Sequence, residues 1–191
     1  MSPCPIVQSE PELVQRMIDE GHIVGNHSVN HPSFPEISLE ECQQEIMELH
    51  DYVKENFGYE MSLFRFPMGE FSEADLKVVQ DLGYRSVFWS FAYRDWLVDE
   101  QPDPQEAIAT IEDKCHPGAI YLLHAVSETN AQILGQVIDD LPGEGYGFLR
   151  LSVASRQTWL LHPPMRALRP APRVTFLWAA LQYKCNSKIK E

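Results

Sequence analysis

Hydrophobic positions along this chain alternate between a three-to-four-residue spacing and short continuous runs, and turn-forming residues separate the two patterns. Pro11 to Glu20 places Leu13, Val14, Met17 and Ile18 on one side of a short helix that Gly21 ends, and His22 to Asn26 then reads as a strand. Ser38, with Glu41 three residues on, has the form of a capping box and starts a helix to about Asn56. Ser62 to Phe66 is a strand closed by Pro67. Ser72 caps a helix that stops at Gly83, and the β-branched and aromatic run Tyr84 to Ser90 is a further strand. A helix from Asp103 to about Lys114 and a Pro117-Gly118 turn follow. A buried strand Ala119 to Ala125, a helix capped by Ser127 and a strand Tyr146 to Leu151 complete the series. Strands alternating with helices predict right-handed βαβ units around a parallel sheet or barrel, an α/β fold.

The pattern breaks at Ser152. Residues 152–191 carry Pro163, Pro164, Pro170, Pro172 and several arginines, and their apolar positions show no clean period. Charge changes sign at the same place. Residues 151–191 hold seven Lys and Arg against one acidic residue, leaving eight basic and 27 acidic residues before them, a net −19. The division expected is one domain over 1–151 and a poorly ordered basic extension over 152–191, with a partner-binding arm as the other reading of that segment. An acidic body offers no phosphate-binding face, which argues against nucleic acid as partner. The 191 residues, 44% hydrophobic, suffice for a globular core, and no apolar run approaches the length of about 20 that spans a bilayer. Met1 to Pro11 has neither the basic start nor the apolar centre of a secretory signal. Cys4, Cys42, Cys115 and Cys185 are far apart, with no CxxC, and imply neither a cysteine zinc knuckle nor a disulfide framework.

Four stretches that follow predicted strands carry candidate chemistry. In Gly25 to Pro32, GNHSVNHP, His27 and His31 stand four apart in a tight turn at a strand end, and neutral imidazoles are common ligands for zinc-like metals. Arg65-Phe66-Pro67-Met68-Gly69 offers a guanidinium that can grip a carboxylate and a sharp turn that can present a backbone N–H to an oxyanion. In Tyr93-Arg94-Asp95-Trp96 an aspartate can orient a histidine, and in Leu122-Leu123-His124 a histidine ends a buried strand, placed to act as acid or base. Phe66, Trp89, Tyr93 and Trp96, near strand ends, can stack on sugar faces. Taken singly, each stretch also reads as ordinary structure: surface histidines, a turn arginine, a turn aspartate, a core histidine, core aromatics.

The order HSVNH, RFPMG, RDW, LLH resembles four of the five motifs of the polysaccharide deacetylase family, the NodB-like carbohydrate esterases of family 4. GHIVGNHSVNHP, FSEADLKVVQDLGYRSVFWS and HPGAIYLLHAVSETNA are similar to its delta-lactam-biosynthetic de-N-acetylases of spore-forming bacteria, which act on N-acetylmuramic acid in spore cortex peptidoglycan. The resemblance spans about Pro11 to Leu151. It implies a distorted (β/α) barrel, a single divalent metal, usually zinc, a glycan substrate and a cell-wall location. It makes His27 and His31 metal ligands, Arg65 the holder of a catalytic base, and the Met68 backbone part of an oxyanion hole. Asp95 orients His124, which protonates the leaving amine. Apart from the resemblance, Phe66 and Trp96 are expected to contact substrate because they are aromatics near strand ends. The chain departs from the family at the opening motif, a strand ending in paired aspartates that supply the base and the third ligand. No Asp-Asp precedes His27, and Asp139-Asp140 lies in a predicted late helix. Ala92 and Tyr93 stand where many members carry a further Asp. An incomplete barrel lacking its first βα unit is therefore expected, with no evident third ligand and impaired activity. The alternatives are a non-catalytic glycan-binding or interaction protein on the same fold, and a metal-dependent hydrolase for another substrate. Oligomeric state is not legible.

Overall fold

A computed structural model describes residues 5–143, 145–149, 151 and 173–179. They fall into two compact units, one ending at Phe88 and one over Trp89–Ala179.

The first unit opens with helices α1 (Pro5–Ser9) and α2 (Pro11–Asp19), the latter with proline in its first turn, where a missing N–H costs nothing. Helix α3 (Leu39–Phe57) begins at the expected capping box: Ser38 Oγ accepts from the Glu41 N–H, and the Glu41 carboxylate accepts from the Ser38 N–H. It ends at Gly58, whose φ of 64° is the left-handed conformation that glycine adopts without a Cβ penalty. Strand β1 (Leu63–Phe64) pairs in parallel with β2 (Arg85–Ser86), and α4 (Glu73–Asp81) forms the crossover between them. Ser72 and Asp75 make a second capping box. Val24, Phe34, Ile46, Leu49, Val53, Phe64, Phe66 and Val79 form the core.

The second unit is a four-stranded, all-parallel sheet in the order β3 (Phe91–Ala92), β4 (Ile120–His124), β6 (Arg173–Ala179), β5 (Gly147–Phe148). Helices α5 (Pro104–Asp113) and α6 (Glu128–Gly143) supply Ile108, Ile111, Ile133, Val137 and Leu141 to a core shared with Tyr121 and Leu123 of β4. Asp103 caps α5 by accepting from the N–H groups of Gln105 and Glu106.

Three strands differ from the pattern reading. His22 to Asn26 forms a single parallel bridge, Asn26 to Phe64, rather than a strand. The run 84–90 divides: the Val87 N–H still bonds Phe64 O, but from Ser90 onward the chain pairs with β4, so one apolar run serves two partners. Residues 173–179, inside the extension set apart on composition, form β6, an element that its pattern does not predict. The rest of 152–191 lies outside the described residues. Among the described residues no helix is long and apolar enough to cross a membrane.

Candidate active site

The candidate residues gather into two groups, one in each unit. In the first unit the loop after the Asn26 bridge carries His27 and His31. Asn26 is buried and satisfies several groups at once. Its Nδ2 donates to Ile46 O at 2.8 Å and to the Tyr84 hydroxyl at 3.2 Å, and its Oδ1 accepts from the Ser28 N–H at 3.0 Å. Ser28 Oγ accepts from the His31 N–H at 3.1 Å, closing a second local turn. From α3, Glu45 Oε2 accepts from the N–H groups of Val29 and Asn30 at 3.0 and 2.8 Å, and Oε1 accepts from Asn30 Nδ2 at 2.7 Å. These bonds hold two non-glycine residues at positive φ, Ser28 at 65° and His31 at 56°. Such conformations persist only where surrounding contacts impose them.

The result is a fixed histidine pair. His27 is buried and its ring meets that of His31 edge-on, centroids 4.9 Å apart. His27 Nδ1 lies 2.5 Å from the Arg65 carbonyl oxygen. A carbonyl only accepts, so Nδ1 carries the proton, and the lone pair of the neutral ring is on Nε2. Arg65 follows β1, and its N–H bonds Asn26 O at 3.0 Å, so the backbone that carries the arginine also orients the histidine. Burial lowers the Arg65 guanidinium to about 10, still above neutral pH, so it remains a cation there. Met68 sits in a 3₁₀ turn, Pro67–Gly69, with φ 56°, and is about half exposed. Ser33 Oγ donates to Glu70 at 2.7 Å, tying the residue after this turn to the segment that follows His31.

Phe66 corrects an expectation. It is fully buried, with Phe34, Phe64 and Phe71 at ring distances of 5.0–5.4 Å. An aromatic enclosed in this way packs the core and has no face for a sugar.

In the second unit, β4 ends at His124 and the turn after β3 delivers Asp95. The Asp95 carboxylate is completely buried and accepts three hydrogen bonds. Oδ1 takes the His124 Nδ1–H at 2.6 Å, and Oδ2 takes the His124 backbone N–H at 2.7 Å and Asn130 Nδ2 at 2.6 Å. The carboxylate thereby fixes the tautomer, so Nε2 is the nitrogen that exchanges a proton. The Trp96 indole is about half exposed and lies edge-on to the His124 ring at 5.6 Å. Asn130 and Glu45 belong to these arrangements and went unread in the sequence. The signal that pointed toward Asn130 was its place in the SETNA stretch, and nothing local marks Glu45.

A divalent metal needs a donor set. His27 and His31 fit as imidazole donors, since the His27 tautomer places its lone pair on one nitrogen. Catalytic zinc takes three protein ligands as a rule. Among the described residues no three His, Cys, Asp or Glu side chains gather to hold an ion.

Each unit thus carries one part of the candidate chemistry: the first a histidine pair in the loop after the Asn26 bridge, the second an Asp-held histidine at the end of β4. The chain belongs to the polysaccharide deacetylase family, whose model matches residues 5–87. It is 43% identical over 143 residues to the peptidoglycan-N-acetylmuramic acid deacetylase PdaA of Bacillus subtilis, covering 74% of this chain and 54% of that protein. The solved structure of PdaA, a family 4 carbohydrate esterase, superposes with a TM-score of 0.71 at 42% identity, over 74% of this chain and 61% of that one. A peptidoglycan-N-acetylglucosamine deacetylase of Bacillus cereus is 30% identical over 151 residues, 76% of this chain and 69% of that protein. A mutant of the Bacillus anthracis pseudoenzyme BA3943, of the same esterase family and with restored enzymatic activity, matches at 25% identity and a TM-score of 0.69, over 75% of this chain and 52% of that one. The chain spans about half the length of the first curated relatives it matches.

Proposed function

We propose that this chain carries the site of a peptidoglycan deacetylase that removes acetyl from N-acetylmuramic acid by metal-assisted amide hydrolysis, and that turnover by the chain as it stands is impaired. The observation that carries the reading is the pair of fixed tautomers. His27 Nδ1–H is committed to Arg65 O, and His124 Nδ1–H to Asp95, so the lone pair of each neutral ring is on Nε2. The identity to PdaA supports muramic acid as the sugar and, with the branch resemblance, spore cortex as its source.

Amide hydrolysis must expel an amine rather than an amide anion, which requires an acid at the leaving nitrogen. His124 takes that role through Nε2, and the buried Asp95 stabilises the imidazolium that precedes transfer. The turn at Met68 offers a backbone N–H to the oxygen that gains charge, and the Arg65 cation is the group that steadies a carboxylate base. His27 and His31 would hold the metal, which would supply Lewis acidity and a more acidic water. Zinc suits two imidazoles. Among the described residues no third such side chain joins them, and two donors hold a metal more weakly than three, so turnover by these residues is impaired.

A second reading, a glycan-binding member of the family without turnover, is supported by the likeness to the BA3943 pseudoenzyme at 25% identity. The test is acetate release from a muramic-acid-containing glycan with zinc added, beside a His27→Ala control. Release abolished by the control supports hydrolysis by this chain. Glycan binding without release supports the second reading. Neither release nor binding overturns both.

A further inference from the structure

Asn130 and Tyr93 complete the hydrogen-bond network around His124, and the deacetylation chemistry above assigns neither a role. Asn130 is wholly buried and uses both ends of its amide. Nδ2 donates to Asp95 Oδ2 at 2.6 Å and to the His124 carbonyl at 3.2 Å, while Oδ1 accepts from the Tyr93 hydroxyl. Its backbone N–H donates to Ser127 Oγ at 3.1 Å, which fixes the residue in the first turn of α6.

The chemistry of these groups allows one arrangement. An ionised carboxylate only accepts, so the amide must turn its NH₂ toward Asp95. Its oxygen then faces Tyr93, and the phenol must donate. With the amide reversed, Oδ1 would stand against the Asp95 carboxylate, two acceptors in a buried site, which is costly. Burial, and then the Asp95 charge, raises the Tyr93 phenol above its ordinary value, so the hydroxyl keeps the proton it donates.

We propose that Asn130, oriented by Tyr93, is a positioning residue for the His124 acid: it fixes the Asp95 carboxylate so that Oδ2 takes the His124 backbone N–H and Oδ1 takes the ring Nδ1–H. The inference rests on reading His124 as the acid, but the geometry it describes is testable without turnover. Asn130 does not touch substrate. It acts through Asp95, and the consequence is a single tautomer with Nε2 as the proton-transferring nitrogen.

The experiment is nitrogen-15 NMR of the imidazoles in the full chain, with His124 assigned by its loss in His124→Gln. The wild type is expected to show one tautomer, protonated at Nδ1, with slow exchange of that proton. Asn130→Leu, of similar size, is expected to shift the His124 nitrogens toward tautomer averaging and to speed exchange of the Nδ1 proton at least about tenfold, the worth of one hydrogen bond to a charged group. Tyr93→Phe removes a single oxygen and is expected to move both readouts in the same direction by less. If Asn130→Leu does not fold, Tyr93→Phe decides. Wild-type His124 resonances and exchange in a folded variant, or a wild type protonated at Nε2, overturn the proposal. A chain that releases no acetate still gives this answer, so failure of the positioning role and failure of the deacetylase reading are separable.

Discussion

Replacing Glu45 by alanine should loosen the histidine loop without touching a histidine. Glu45 lies on α3, and its carboxylate accepts from the Val29 N–H at 3.0 Å, the Asn30 N–H at 2.8 Å and Asn30 Nδ2 at 2.7 Å. Hydrogen bonds to a charged group contribute about 1.5–3 kcal/mol each when buried, and less where water competes. One of these is partly buried and two are exposed, so a total of about 2–3 kcal/mol is reasonable for the local closing of the loop. That energy opposes the tendency of Ser28 and His31 to leave their positive-φ conformations. The assay is native-state hydrogen exchange at the Val29 and Asn30 amides. At about 1.4 kcal/mol per factor of ten, their protection should fall about 30- to 150-fold in Glu45→Ala. Glu45→Gln keeps one oxygen that can accept both backbone donors and should lose less than about tenfold. Protection within twofold of wild type in Glu45→Ala would refute the view that this side chain holds the loop.

Burial raises the Tyr84 phenol to about 12 against the opposing hydrogen bond from Asn26, so the folded state holds that proton more tightly than the unfolded chain does near pH 10. Stability should be intact below about pH 10 and fall as pH rises toward 12. Tyr84→Phe should flatten part of that fall in urea midpoints and cost about 1–2 kcal/mol at neutral pH, because the Asn26 amide loses an acceptor. Burial, and then the charge of Asp75, raises the Cys42 thiol to about 12, so peptide mapping after alkylation of the native chain at pH 8 should find half-buried Cys115 modified well before Cys42. Phe66→Ala should destabilise by about 3–5 kcal/mol in thermal or urea unfolding, as expected for a fully buried aromatic. Trp96→Ala should change stability by less than about 0.5 kcal/mol, and equal effects from the two would contradict the core placement of Phe66.

The helices were legible because their ends are written locally. Ser38 with Glu41, Ser72, Asp103 and Pro11 each mark a first turn within four residues of sequence, and each marks one in the structure. Strands were less so. A parallel strand is defined by its partner, and the run 84–90 changes partner midway, which no local spacing reveals. Strand β6 was hidden because prolines and arginines set the composition of the segment around it, while its pairing with β5 and β4 depends on residues 26 and 55 positions away. In the candidate site, His27, Arg65, Asp95 and His124 could be named because each stands at a turn after an apolar run. Glu45 and Asn130 could not, since their work is done from helix faces onto loops 15 and 35 residues distant. Phe66 shows the reverse failure: an aromatic at a strand end looks available to a ligand until Phe34, Phe64 and Phe71 enclose it.

The most direct measurement compares acetate release from a glycan containing N-acetylmuramic acid by two forms of the chain with zinc present. One is the chain as it stands. The other carries an added N-terminal strand ending in paired aspartates. The first is expected to release acetate slowly, above its His27→Ala control, and the second to release it faster, in a manner abolished by His27→Ala and by His124→Ala. Release by the first form as fast as by the second would contradict the claim that two histidines are too few donors. No release by the second would contradict the deacetylase reading of the site.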